Sequence, residues 1–134
     1  MMLIDTSLLV VLFRDKSGKA RAGFKNAVGR SDYVLTRMTQ LELLQGAKTE
    51  SEWDTLETYL DGQDYVEAVT TTWPEAARTY FELRCKGLTV GSVLDCLIAQ
   101  IAIERSLTLL HNDRDYELIA RSRPLRHSRI NLLA

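Results

Sequence analysis

Five carboxylates fall where apolar runs give way to helical spacing: Asp5, Glu42, Asp95, Asp113 and Asp115. Taken singly, each has an ordinary explanation. Asp5 can cap the helix after a strand, Glu42 and Asp95 can be the acidic members of capping boxes with Thr39 and Ser92, and Asp113 and Asp115 can be turn residues. Taken together, they raise a second possibility, because an open parallel sheet binds ligands in the crevice beyond the carboxyl ends of its strands. Asp5 and Asp113 are predicted to end strands, and Glu42 and Asp95 to lie in first turns of helices starting from that same edge. The helix caps can then form one acidic pocket. Two carboxylates ~4 Å apart repel by about 4 kcal/mol at an effective dielectric near 20, and a divalent cation removes that repulsion. Ligands that are all oxygen point to a hard ion, Mg²⁺ or Mn²⁺, which keeps waters and accepts phosphate oxygens. Phosphodiester hydrolysis is the natural chemistry of such a site, through an activated water and stabilised phosphate charge.

The elements that must position these acids follow from pattern. In Val93 to Ile103 nine of eleven residues are apolar and only Asp95 and Gln100 interrupt, which predicts a buried helix starting at Ser92. Met2 to Asp5 reads as a strand, with Thr6 and Ser7 capping a helix through the LLVVLF run to Arg14. Ala20 to Val28 has helical spacing closed by Gly29, and Tyr33 to Thr36 is a second strand. The Thr39/Glu42 capping box opens a helix ending near Gly46. A further helix is predicted over Ser51 to Leu60, a short strand over Tyr65 to Val69, and a helix from Thr72-Trp73-Pro74 to Lys86-Gly87. Leu107 to Leu110 is a strand and Tyr116 to Ala120 a short helix; beyond Pro124 no element is predicted. Strands alternating with helices at this rhythm predict an α/β fold with a mainly parallel central sheet and helices on both faces.

With 134 residues, 46% of them hydrophobic, and no repeat or Gly/Ser linker, residues 1–134 are expected to form a single domain. The opening apolar run lacks a basic leader, so a cytoplasmic protein with no membrane partner is expected. Cys85 and Cys96 form no CxxC and are read as buried free thiols. Net charge is −1, against a generally basic nucleic-acid binder, but the charge is uneven: eight Lys/Arg against four Asp/Glu in residues 1–48, one against nine in 49–83, and eight against five in 84–134. Basic ends could meet phosphates locally while the acidic middle faces elsewhere.

Four segments, LIDTS with Asp5, LTRMTQLELLQG with Glu42, SVLDCLIAQIA with Asp95 and LLHNDRDY with Asp113 and Asp115, resemble the PIN domain family in order and spacing, and within it the VapC-type toxin ribonucleases. The resemblance implies an Mg²⁺- or Mn²⁺-dependent endoribonuclease, a homodimer held inactive by a small co-produced antitoxin. It implies metal binding and catalysis by Asp5, Glu42, Asp95 and Asp113, with Asp115 as a further metal ligand. Thr6, Ser7 and Asn112 would support those carboxylates. His111 stands where such toxins often have a small hydroxyl residue and is read as a packing residue rather than a general base; the aromatic after Asp115 is Tyr116. Arg14 and Arg114 could neutralise phosphate. The alternatives are a housekeeping nuclease of the same type, a non-catalytic protein-binding module in which the acids are only caps, and phosphoryl transfer through Asp5. The last lacks its expected second Asp two residues on, where Ser7 stands.

Overall fold

The computed structural model describes residues 1–134. Five parallel strands, β1 (Met2–Ile4), β2 (Tyr33–Thr36), β3 (Tyr65–Val66), β4 (Thr108–His111) and β5 (His127–Arg129), form a sheet in the order β3-β2-β1-β4-β5. Seven helices connect them: α1 (Thr6–Arg14), α2 (Lys19–Val28), α3 (Arg37–Gln45), α4 (Glu50–Asp61), α5 (Thr72–Cys85), α6 (Val93–Glu104) and α7 (Arg114–Ala120).

The period of two in a strand divides the core between the faces. Leu3 of β1 pairs in register with Val34 of β2 and Leu109 of β4, and all three point into one buried cluster with α5, α6 and α7. Ile4, Leu35 and Leu110 point the other way, into a cluster with Leu8, Leu9, Ala20, Leu43, Leu56 and Leu60 from α1 to α4. Helices therefore cover both faces. Helix α6 supplies Cys96, Leu97, Ile98, Ala99, Ile101 and Ala102, all buried, as its nearly unbroken apolar composition requires.

Several boundaries differ from the sequence reading, each for a local reason. Asp5 itself caps α1, accepting from the Ser7 amide, so Thr6 and Ser7 are inside the helix. Helix α3 is capped by Thr36, whose hydroxyl accepts from the Thr39 amide; Thr39 is consequently its third residue, and Glu42 lies in the second turn with no capping box. Ser92 does cap α6, accepting from the Leu94 amide, while the Asp95 carboxylate turns inward toward the other acids. The third strand stops at Val66. Cys85 is exposed and only Cys96 is buried.

The segment after Pro124 is ordered into β5, which pairs with β4 from Leu109↔His127 to His111↔Arg129. Its sequence, His-Ser-Arg, is polar because it is an edge strand with two exposed residues. The chain then packs Leu132 into the α1–α4 cluster. A Cβ on Gly23 of α2 would lie 2.8 Å from the Leu132 carbonyl oxygen and 3.3 Å from its Cα. Alanine normally gains about 1 kcal/mol over glycine within a helix, but here the contact is with backbone that cannot rotate away. Gly23→Ala is expected to destabilise by about 1–3 kcal/mol, read by urea unfolding; a gain in stability would show that the C-terminal turn does not hold this position.

Candidate active site

Strand β1 lies between β2 and β4, so the chain departs from it to one side and returns on the other. The crevice at such a reversal is bounded by the carboxyl ends of the two strands, here by Asp5 after β1 and by His111-Asn112-Asp113 after β4. The Asp5 amide donates to the Leu110 carbonyl at 3.0 Å, which fixes the two strand ends side by side.

Asp5 is buried and its carboxylate is oriented from both sides. Oδ2 accepts from the Ser7 amide at 3.0 Å and from Ser7 Oγ at 2.6 Å; Oδ1 accepts from the Tyr116 hydroxyl at 2.6 Å. Ser7 Oγ in turn accepts from the Asn112 amide at 2.9 Å. Asn112 therefore contributes through its backbone, while its Oδ1 accepts from Arg129 Nε at 3.1 Å. Thr6 faces away from Asp5 toward α3, donating to Glu42 Oε1 at 2.9 Å and lying 3.0 Å from Thr39 Oγ1.

The three remaining acids converge most closely. One oxygen each from Asp95, Asp113 and Asp115 lies within 4.8 Å of the other two. Asp113 caps α7, its Oδ1 accepting from the Asp115 amide, and Asp115 Oδ2 accepts from the Gly91 amide at 2.7 Å, tying the turn before α6 to α7. Asp95 has only the Tyr116 hydroxyl at 3.4 Å. All five acids thus come to one edge of the sheet, with Asp95, Asp113 and Asp115 as the tight group, Asp5 joined to it through Tyr116, and Glu42 at the margin beside α1.

The electrostatics follow from this crowding. Burial, then repulsion from Asp5, Asp113, Asp115 and Glu42, pushes the Asp95 carboxyl up to about 7. Burial also raises the Glu42 carboxyl above its ordinary range, opposed by the Thr6 bond and reinforced by Asp5. None of the four ion pairs in the molecule includes any of the five acids. An all-oxygen cluster with unneutralised charge suits a hard divalent cation, so the residues present fit such an ion.

His111 is fully buried, stacked on His127 and packed against Tyr116. Its Nδ1 accepts from the Asp113 amide at 3.1 Å and its Nε2 lies 2.9 Å from His127 Nδ1. Burial and the neighbouring His127 push it down to about 4, so it is a neutral packing residue that orients the Asp113 turn. Arg14 and Arg114 are exposed and free of ion pairs. Sequence reasoning gave Tyr116 no role. The available signal was chemical: a buried tyrosine, unlike phenylalanine, requires a partner for its hydroxyl.

A three-layer α/β fold with acids gathered at the β1/β4 edge defines the class. The PIN domain family profile matches residues 2–122, and the chain belongs to that family. It is 32% identical to ribonuclease VapC11 of Mycobacterium tuberculosis over 124 residues, covering 90% of this chain and 92% of the relative. It is 30% identical to ribonuclease VapC51 of the same organism over 118 residues, covering 88% and 84%. In fold it is similar to VapBC2 from Rickettsia felis bound to a promoter DNA fragment, with a TM-score of 0.75, 18% identity and coverage of 97% and 98%. DNA-bound VapBC from Salmonella typhimurium gives a TM-score of 0.75 at 22% identity, covering 96% and 98%. No helix of the chain is long and apolar enough to cross a membrane.

A thermal measurement addresses the cation directly. Millimolar Mg²⁺ or Mn²⁺ is expected to raise the melting temperature of the parent protein by several degrees through linkage of binding to folding. Asp95→Asn should lose most of that rise. An unchanged response in both Asp5→Asn and Asp95→Asn would remove the metal site from consideration.

Proposed function

We propose that this protein is an endoribonuclease toxin of a two-component toxin–antitoxin pair, hydrolysing RNA phosphodiester bonds at an Mg²⁺ or Mn²⁺ site held by Asp5, Glu42, Asp95, Asp113 and Asp115. The observation that carries this reading is the unneutralised acid cluster at the β1/β4 edge of a PIN domain. Similarity to two VapC ribonucleases over nearly the full chain supports the same chemistry.

The residues divide the work. Ser7, braced by the Asn112 amide, and Tyr116 fix the Asp5 carboxylate; Thr6 fixes Glu42; the Gly91 amide fixes Asp115. Asp95 is left with its lone pairs the least engaged of the set and faces the gap between them. A bound divalent cation would supply Lewis-acid stabilisation of phosphate charge and activate the attacking water. Basic side chains outside the pocket, Arg14 and Arg114 among them, are placed in this reading to meet neighbouring phosphates. A cytoplasmic homodimer completes it, and the outward-facing Leu41, Trp73, Phe81 and Val93 supply apolar surface for a partner to cover; light scattering of the purified chain tests the dimer.

The direct test is incubation of purified protein with a broad panel of single-stranded RNAs and Mn²⁺. Cleavage that stops on adding a chelator is the expected result. Absence of cleavage across the panel, with the protein folded, would favour a non-catalytic binding module.

A further inference from the structure

Tyr116 is the largest fully buried side chain in the molecule, and its hydroxyl lies between two carboxylates from distant parts of the chain. It donates to Asp5 Oδ1 at 2.6 Å and stands 3.4 Å from Asp95 Oδ1. A phenol has one proton, so the two carboxylates cannot be served equally, and the distances assign it to Asp5. Burial and the adjoining Asp5 and Asp95 charges hold this phenol in its protonated form, well above its ordinary range. The consequence is an inequality. Asp5 receives three donors on its two oxygens, one from Tyr116 and two from Ser7, whereas Asp95 receives none shorter than 3.4 Å. The first carboxylate is locked in orientation, and the second keeps its lone pairs for a ligand.

We infer that Tyr116 is a positioning residue for the metal site. Its hydroxyl locks Asp5 against Ser7 from the opposite side, beside Asp95, whose lone pairs it leaves for the cation. This rests on the metal-dependent reading above. The ring itself packs against His111 with centroids 4.8 Å apart, so packing and hydrogen bonding can be separated by Tyr116→Phe, which keeps the ring and removes only the oxygen.

Groups that orient metal ligands typically alter affinity by about 10–100-fold when removed. Calorimetric titration with Mn²⁺ is therefore expected to give a dissociation constant at least tenfold weaker for Tyr116→Phe than for the parent protein. Helical circular dichroism should be retained and KM for RNA unchanged, with activity recovering as Mn²⁺ is raised. A packing role would instead lower the melting temperature and leave the Mn²⁺ constant unmoved, and that result overturns the proposal. If the parent itself takes up no Mn²⁺, the metal-dependent reading falls and this inference with it; parent binding with an unaltered variant sinks the inference alone. If Tyr116→Phe does not fold, the parent protein labelled at the tyrosine Cζ carbons answers the question. The Tyr116 resonance is expected to move on adding diamagnetic Mg²⁺, and a resonance that stays in place rejects the role.

Discussion

Asp95→Asn is expected to lower cleavage of single-stranded RNA by more than about a hundredfold, the scale expected when a group that positions a catalytic metal is lost, and at neutral pH in chelator to make the protein more stable. The two effects have one origin. Asp95 is held in a nest of like charges, and its carboxyl is pushed from 3.8 up to about 7, first by burial and then by Asp5, Asp113, Asp115 and Glu42. Folding therefore disfavours its ionised form. The contribution of this group to stability is fully present below about pH 4 and is lost as pH rises through 7. A rise of that size corresponds to about 4 kcal/mol as an upper bound, which solvent screening at a half-buried carboxylate reduces to about 1–2 kcal/mol. Urea unfolding in chelator should show Asp95→Asn ahead of the parent at pH 8 and level with it near pH 4. A variant less stable than the parent at pH 8 contradicts the repulsive cluster, whatever happens to activity.

Expression of the chain alone should arrest bacterial growth, with recovery when a small protein encoded in the neighbouring reading frame is produced with it. The structure gives this expectation physical content. Between α1, α3 and α4 lies a groove of about 510 Å³ with Val10, Phe13, Leu43 and Leu56 in its wall, alongside Glu42 and the cationic Arg14, Lys16 and Lys48. Leu41 of α3 and Trp53 of α4 are exposed nearby in sequence, at 64% and 38%. An antitoxin tail could bury apolar side chains along these helices and send an Arg to the acids, since guanidinium pairs bidentately with carboxylates that otherwise hold the cation. Asp95→Asn should be harmless yet co-purify with the partner, because most affinity would come from apolar burial outside the pocket. If the parent is harmless while soluble and well expressed, the toxin reading fails and the nuclease reading survives.

Much of this was legible in the sequence because the relevant signals are local. Strong apolar periodicity gave β1, β2 and α6 within a residue or so, and Asp5 and Asp113 stood just beyond strands at the edge where topology collects ligands. What was not legible depends on partners distant in the chain. Thr36 and Thr39 are equally good caps by type, and in the fold Thr36, the last residue of β2, takes the role with no loop between strand and helix, moving Glu42 to the second turn. His127 to Arg129 has no strand pattern because its order comes from the exposed edge of β4. Tyr116 reaches Asp5 across 111 residues, a contact that no spacing rule within a helix reveals. Asp113 stands two residues beyond β4 as the cap of α7, and its tight grouping with Asp95 and Asp115 required the tertiary fold.

The position of β1 at the middle of the sheet also governs when the acid cluster can be completed during synthesis. Met2 pairs with Tyr33 on one side but with Thr108 on the other, so the first strand made must wait for most of the chain before it is flanked. At about 5–20 residues per second, Asp5 is translated several seconds ahead of Asp113 and Asp115. A nascent chain halted before β4 lacks two of the five acids, Asp113 and Asp115, and one wall of the crevice. If the chain is the nuclease proposed above, fragments ending before β4 are expected to be inert, and the interval before the cluster closes is time in which an already folded inhibitor can be waiting.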